Sequence, residues 1–330
     1  MVLIFLITVI TINYRLIDYG ISQAKGQFKI VRQAKPNSEW LNNPDFPDSL
    51  KRKLKLVDEI KRFAFDSLGI DFSENYSSMY DQGGEPVMFV VSACKPYELV
   101  PRKFSFPIIG SFSYKGFFVK ERAEKEEEGL IEKGYDTNIR TAGGWSTLGW
   151  FNDPILSEML SRSDGYLTET IIHELTHGTL FVKDSLTFNE NLASFIGWHG
   201  ARKFLKNIYG GNSKEYLDYI NHWQDRRIFV SHILSGAKKL DSLYQMFEDT
   251  LTIEQKEYSK RNLIDAIVNS IDTLPLSNSK KYKEYFQSIK INNTFFMSYL
   301  RYNGEIEILE KELRNKYNND IKMLLLDYKS

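Results

Sequence analysis

Cysteine is almost absent from the chain, because Cys94 is the only one among 330 residues. A single thiol excludes an internal disulfide framework, and it excludes a metal site built from several thiolates. Cys94 follows a mainly apolar run at residues 88–93, so we interpret it as a small buried hydrophobe.

An excess of charge is missing as well, since 43 lysines and arginines balance 43 aspartates and glutamates. The chain therefore has no overall field that would gather a phosphate backbone, which argues against nucleic-acid binding. The sequence also contains no internal repeat. A hydrophobic content of 42% and an aromatic content of 14% support a substantial folded core.

The first twelve residues carry no charge, and Thr8 and Thr11 are their only polar side chains. This run is shorter than the roughly 20 apolar residues that span a bilayer, no basic segment precedes it, and no small-residue cleavage site follows. We interpret residues 1–14 as an uncleaved membrane anchor, which would place the rest of the chain outside the cytoplasm. A buried first strand is the alternative, because isoleucine, valine and threonine also favour strands.

Beyond residue 14 the sequence divides into three regions: a segment interrupted by prolines, a region with both helical and β-rich patterns, and a region of mainly helical periodicity. Three prolines interrupt residues 15–47, which we interpret as a stalk, and apolar side chains recur at helical spacing from Asp48 to Leu68. Short β-rich runs follow at residues 87–92, 112–118 and 137–141. Nearly every long segment after Pro154 has helical periodicity, so we predict an α+β fold with a small sheet followed by a mainly helical C-terminal half.

Two histidines four residues apart, His173 and His177, flank Glu174 within the helical stretch 167–177. Residues at this spacing lie on one face of a helix, about 6 Å apart along its axis, so both imidazoles can reach one metal ion. Zinc binds neutral imidazole nitrogens and leaves a position for a water molecule, whose proton Glu174 would accept. The pattern predicts a zinc-dependent hydrolase, and the alternative is a helix with two surface histidines.

A catalytic zinc of this kind needs a third protein ligand, for which Glu190 is the favoured candidate. A second helix beginning near Phe188 would return Glu190 toward the two histidines. Small residues on one side of that helix would let the two helices approach closely: Ala193, Ser194, Gly197 and Ala201. Two alternatives stay open, namely a capping box in which Glu190 bonds to Thr187, and His199 as the ligand.

The sequence identifies the hydrogen-bond donor that would stabilise the oxyanion less clearly than it identifies the metal ligands. Tyr302 is our candidate, and Tyr299 and His232 are the alternatives, because a phenol or an imidazole can donate to a developing oxyanion.

Substrate contacts are predicted from one run of residues. An exposed strand edge that pairs with an extended peptide would be formed by Gly144, Trp145, Ser146 and Thr147. A simple turn with a packed Trp145 is the alternative. Recognition of a free amino terminus would further require a fixed carboxylate near the site, for which Glu169 and Asp136 are two possibilities.

Several stretches resemble the bacterial predicted aminopeptidase family, which consists of envelope-associated metallopeptidases of the glutamate-zincin type. The likeness is carried by residues 19–27, 142–154, 172–184, 188–197 and 291–302. The resemblance implies a zincin-like fold, with His173, His177 and Glu190 as zinc ligands and Glu174 as the base. The chain lacks the lipid-anchor cysteine that is common in relatives, so a different mode of attachment is expected.

These observations predict a zinc-dependent metallopeptidase with aminopeptidase activity on peptide or protein substrates. Residues 48–210 would form the zincin-like catalytic region, and the helical residues 211–330 would complete the catalytic domain. The alternative is a catalytically inactive, envelope-anchored scaffold or peptide-binding protein. The intact Glu174 favours turnover, because a structural zinc needs four closed ligands and no base. No feature of the sequence indicates an oligomeric state.

Overall fold

The computed structural model describes residues 14–106, 110–142 and 152–329. It has the mixed α+β architecture that the sequence predicts, with small sheets in the first half and a helical second half. The described helices of the first half are α1 (Tyr14–Gln33), α2 (Asn37–Asn42), α3 (Asp48–Leu68) and α4 (Lys120–Ile131). The described strands are β1 (Lys35–Pro36), β2 (Ser78–Tyr80), β3 (Phe89–Cys94), β4 (Phe104–Phe106), β5 (Gly110–Phe112), β6 (Tyr114–Phe117), β7 (Asp136–Thr141) and β8 (Ile155–Leu156).

The second half follows a short 3₁₀ turn at Ser157–Ser161, and another such turn occurs at Ser270–Thr273. Its described helices are α5 (Asp164–Thr179), α6 (Leu186–Tyr209), α7 (Lys214–Gln245), α8 (Ile253–Asn269), α9 (Ser279–Ser288), α10 (Asn293–Asn303), α11 (Ile306–Tyr317) and α12 (Ile321–Lys329).

Helix α3 has the bounds that its apolar spacing predicts. Its buried face is formed mainly by Leu54, Val57, Ile60, Ala64 and Leu68. The helix ends at Gly69, whose φ of 76° lies in the left-handed region that glycine adopts without steric cost. The apolar face of α3 packs against α5 and α6 in the largest core of the molecule.

A three-stranded antiparallel sheet has the order β6-β3-β7, and its strands coincide with the three predicted β-rich runs. One face packs against α4 through a core that includes Val91, Ala93, Ala123 and Leu130. Cys94 at the end of β3 is buried, as its apolar surroundings predict. With one face covered by α4, the opposite face of the sheet borders a cleft.

The C-terminal helices share the main core with the first half of the chain. Leu309 and Leu313 of α11, with Leu324 and Leu325 of α12, belong to the same cluster as Leu54 of α3. Helices α7 to α10 build a second core around Phe229, Ile233 and Phe296. Residues 211–330 are therefore packed partly into the core that holds the metal-binding helices predicted from the sequence.

Helix α1 lies in the segment predicted to form a stalk and packs against the sheet. The Tyr19 hydroxyl and the Gln23 amide both donate to the carbonyl of Gly116 in β6, at 2.9 and 3.1 Å. The preceding residues of the predicted anchor, 1–13, lie outside the described part of the chain. None of the described helices is long and apolar enough to cross a membrane.

Candidate metal centre and active-site cleft

Helix α5 carries the two histidines, and its apolar side fixes which way they face. The Ser163 hydroxyl caps the helix by accepting from the Tyr166 amide. The core-facing side is formed by Leu167, Ile171, Ile172 and Leu175, all buried. Because this side is held in the core, His173 and His177 line the cleft one helical turn apart.

Helix α6 begins at Leu186, two residues before the predicted start. Asp184 reverses the chain in a left-handed conformation, with φ of 60°, and the Asn189 side chain bonds both backbone groups of Val182. The N-cap residue is Ser185, so Thr187 lies inside the helix and the predicted alternative of a capping box is wrong. Glu190 instead directs its carboxylate toward the two imidazoles.

The small residues of α6 allow the close approach of α5 that the sequence predicts. A Cβ atom on Gly197 would lie 2.9 Å from the backbone oxygen of Glu169 and 3.3 Å from the Cβ atom of His173. Ala193 is fully buried, and the Ser194 hydroxyl lies 3.5 Å from Nδ1 of His173. The glycine therefore sets the distance between the helix of the histidines and the helix of Glu190.

The ligand atoms of the three side chains are spaced as a tetrahedral metal site requires. The Nε2 atoms of His173 and His177 lie 3.1 Å apart, and Oε2 of Glu190 lies 3.4 and 3.6 Å from them. Ligand atoms around a tetrahedral zinc with bonds of about 2.0 Å are separated by about 3.3 Å. Two imidazoles and one carboxylate also match the ligand set of a catalytic zinc with one open position, so the residues present fit this metal.

Electrostatic interactions with neighbouring groups shift the pKa values of Glu190 and His173. Burial raises the pKa of the Glu190 carboxyl, but hydrogen bonds with both imidazoles outweigh it and hold that pKa far below its usual range. Burial lowers the pKa of His173, whereas the hydrogen bond with Glu190 and the charge of Glu174 raise it on balance. A metal ion that binds His173 would therefore displace a proton from its imidazole, which couples metal affinity to pH.

The cleft that the three groups line has a volume of about 350 Å³ and also contains Glu174 and Tyr302. The Glu174 carboxylate makes no hydrogen bond or ion pair with a described residue, so it is free to accept a proton. Burial raises the pKa of the Tyr302 phenol, and the charge of Glu190 raises it further. Tyr302 thus stays protonated and can donate a hydrogen bond inside the cleft.

A comparison with known protein families covers most of the chain. A family model described as "Putative aminopeptidase" matches residues 18–324. The chain belongs to this family. Neither a curated protein nor a solved structure matches it. The matched range includes every residue of the candidate site, and it extends from within α1 to within α12.

Most side chains that line the cleft of this aminopeptidase-family protein were not predicted as site residues, and Gln23 of α1, Tyr114 of β6 and Arg140 of β7 are among them. The runs at 112–118 and 137–141 predict the two strands, but no sequence feature indicates that one face of the sheet borders the metal ligands. The resemblance at residues 19–27 was the only signal for α1, and it carried no residue role.

Three alternatives weighed for this aminopeptidase-family chain lie away from the cleft. His199, the alternative ligand, has its Nε2 atom 3.1 Å from a carboxylate oxygen of Glu310 in α11. Nε2 of His232 lies 2.8 Å from the carbonyl oxygen of Ile267, and Tyr299 packs in the second core. The substrate strand predicted at residues 144–147 lies outside the described part of the chain.

A larger cavity, of about 530 Å³, lies between α6, α7 and α11. Trp198 and Trp223 stack in it at a centroid distance of 3.9 Å. Within the described ranges, the one group of three potential metal ligands is in the smaller cleft, so we place the candidate site of this aminopeptidase-family protein there.

Proposed function

We propose that the protein is a zinc-dependent metallopeptidase of the glutamate-zincin type, with His173, His177 and Glu190 as the zinc ligands. The observation that carries this proposal is the tetrahedral spacing of the three ligand atoms beside Glu174, whose carboxylate has no hydrogen-bond or ion-pair partner among the described residues. Membership of a family described as an aminopeptidase family supports a peptide as the substrate.

The proposed mechanism assigns each polar side chain of the cleft one task. A bound zinc ion would polarise the attacking water and the scissile carbonyl. Glu174 accepts the proton of the water and passes it to the leaving amine, as a general base that then acts as a general acid. Tyr302 donates a hydrogen bond to the oxygen on which negative charge develops.

A non-catalytic scaffold that binds metal or peptide remains the second candidate. It gains no specific support from the cleft, because a structural zinc site would close its fourth position with a protein ligand and would not place an unpaired carboxylate next to it.

We also propose that residues 1–14 attach the protein to a membrane with the catalytic region outside the cytoplasm. The uncharged composition of residues 1–12 supports that attachment.

The test separates the two glutamates. Glu174→Gln should keep about one zinc per chain and reduce peptide hydrolysis by at least about a hundredfold, because it removes the base and leaves the ligands. Glu190→Gln should lose zinc affinity and hydrolysis together, because a neutral amide is a poor zinc donor. Zinc content by elemental analysis and hydrolysis of a peptide mixture by mass spectrometry measure the two effects.

Glu215→Gln in the exposed first turn of α7 is the matched control and should change neither quantity. Full zinc occupancy in Glu190→Gln would remove Glu190 from the site. Unchanged hydrolysis in Glu174→Gln would disprove the proposed mechanism.

A further inference from the structure

The charges of the cleft do not match what a substrate amino terminus would need. A protonated α-amine is bound by a fixed carboxylate, but the carboxylates among the described lining residues are Glu174 and Glu190 alone. The proposed function uses both. The segments outside the described ranges contain no aspartate or glutamate that could be added to the cleft.

The two acidic residues considered for this role from the sequence are engaged elsewhere. Oε1 of Glu169 lies 2.6 Å from a guanidinium nitrogen of Arg226. Oδ2 of Asp136 lies 2.8 Å from Nζ of Lys260 and accepts the backbone N–H of Asn293 at 2.9 Å. Neither carboxylate lines the cleft, so neither can receive a substrate amine there.

Cations, in contrast, do line the cleft. Lys115 is neutralised, because its ammonium group lies 2.7 Å from a carboxylate oxygen of Glu126. Arg140 differs, since its guanidinium forms no ion pair with a described residue and donates one hydrogen bond, of 3.4 Å, to the Tyr302 hydroxyl. The cleft therefore offers an anion one exposed guanidinium that no side-chain carboxylate of the described structure occupies.

The sheet fixes the position of this guanidinium. Arg140 pairs with Val90 in the antiparallel register of β7 and β3. Successive side chains of a strand point to opposite faces, and Ile139 packs in the core beneath α4 while Arg140 lines the cleft. A planar guanidinium on a rigid strand suits bidentate binding of a carboxylate.

We propose that Arg140 binds a carboxylate of the peptide substrate, either the C-terminal carboxylate or an acidic side chain beside the scissile bond. The inference rests on the proposed function in one respect, the position of the reacting carbonyl. Tyr302, which contacts Arg140, lines the same cleft as Glu174 and Glu190. A carboxylate on Arg140 would therefore belong to a substrate residue near the reacting carbonyl, because Arg140, Tyr302 and Glu174 line one cleft.

The experiment measures binding to zinc-loaded Glu174→Gln protein by calorimetry. The probes are an N-acetylated tripeptide with a free C-terminal carboxylate, its neutral C-terminal amide, an N-acetylated amide carrying glutamate, and an amide without acidic side chains that has a free, cationic amino terminus. Peptides with a carboxylate should bind at least about tenfold more tightly than the neutral N-acetylated amide. The comparison of the free carboxylate with the glutamate side chain identifies which source Arg140 prefers.

Variants in the same background assign the preference to one residue. Arg140→Gln should abolish it, and Arg140→Lys should keep part of it, because an ammonium retains the charge and loses the bidentate geometry. Arg261→Gln on the exposed surface of α8 is the matched control and should keep the full preference. A melting curve for each variant checks that it is folded.

Equal affinity for the carboxylate peptides and the neutral N-acetylated amide overturns the inference, and so does tightest binding of the peptide with a free amine. The proposed function can fail separately. If the protein binds no zinc and hydrolyses no peptide, yet the zinc-free protein prefers carboxylate peptides only while Arg140 is present, the carboxylate site is supported and the peptidase assignment is wrong.

Discussion

At the scale of the residue, the phenols of Tyr114 and Tyr302 line the same cleft as the two imidazoles. Burial is the main cause that raises the pKa of both Tyr114 and Tyr302, and the charge of Glu190 adds to it. Both therefore remain hydrogen-bond donors through the neutral range. The Arg301 guanidinium lies 5.5 Å from the ring centroid of Tyr114, whereas Arg140 contacts the Tyr302 hydroxyl directly.

Tyr302→Phe should lower kcat by roughly ten- to a hundredfold and leave KM and zinc content unchanged. The reason is that the lost hydrogen bond would be made most strongly to the oxyanion of the transition state. Steady-state kinetics on a single peptide, with zinc measured in the same sample, provide the comparison. Tyr258→Phe, at an exposed position of α8, is the control. A normal kcat in Tyr302→Phe together with a reduced kcat in Tyr299→Phe would favour the alternative donor.

At the scale of the element, the features that follow from local sequence patterns could be predicted, whereas long-range contacts between elements could not. The period of α3 and the spacing of His173 and His177 are local properties, so the helices and their faces could be predicted. The return of Glu190 was predictable because a short loop and small residues leave α6 one close way to pack. The approach of α1 to Gly116, nearly a hundred residues away, depends on tertiary packing that no local period encodes.

The contact of α1 with the sheet is testable at one glycine. A Cβ atom on Gly26 would lie 2.2 Å from ring carbons of Phe118, whereas one on Gly20 of the same helix meets nothing within 4 Å. Gly26→Ala should therefore destabilise the protein by about 1–3 kcal/mol, while Gly20→Ala should be neutral or stabilise it by up to about 1 kcal/mol. Urea unfolding measures both. Equal effects of the two substitutions would show that α1 does not pack closely on Phe118.

The start of α5 is held by a charge cluster that predicts a pH dependence. Asp164 lies 2.9 Å from Arg52 and 2.6 Å from Lys53, and it accepts the Tyr209 hydroxyl. Burial raises the pKa of Asp164, but hydrogen bonds from these three groups outweigh it and lower the pKa to about 2. A lowered folded-state pKa contributes stability that is present above about pH 4 and is lost as the pH falls toward 2.

Asp164→Asn should thus lower the free energy of unfolding by about 1–2 kcal/mol at pH 7, after allowance for solvent screening. The difference from the unchanged protein should shrink between pH 4 and pH 2. Denaturant unfolding at pH 7, 5 and 3 follows the trend, with Asp218→Asn at an exposed ion pair of α7 as the control. A difference that stays constant over this range would contradict the role of Asp164.

At the scale of the whole molecule, the cleft is assembled from both ends of the chain. Its lining runs from Tyr19 to Tyr302, so neither half could form it alone. Asn292 and Asn293, at the start of α10, connect the C-terminal helices to the sheet. The Asn292 amide donates to the carbonyl of Thr137 at 3.0 Å, and Nδ2 of Asn293 donates to the carbonyls of Lys95 and Pro96.

The consequence of this connection can be tested at Asn293, which is fully buried. Asn293→Ala removes donors to two backbone carbonyls and the acceptor of the Tyr244 hydroxyl, so unfolding free energy should fall by about 2–4 kcal/mol. Hydrolysis should fall more than zinc content, because α10 carries Tyr302 whereas the proposed ligands lie on α5 and α6. Asn207→Ala, at an exposed site of α6, is the control. Loss of zinc in parallel with hydrolysis would instead mean that α10 supports the metal-binding helices themselves.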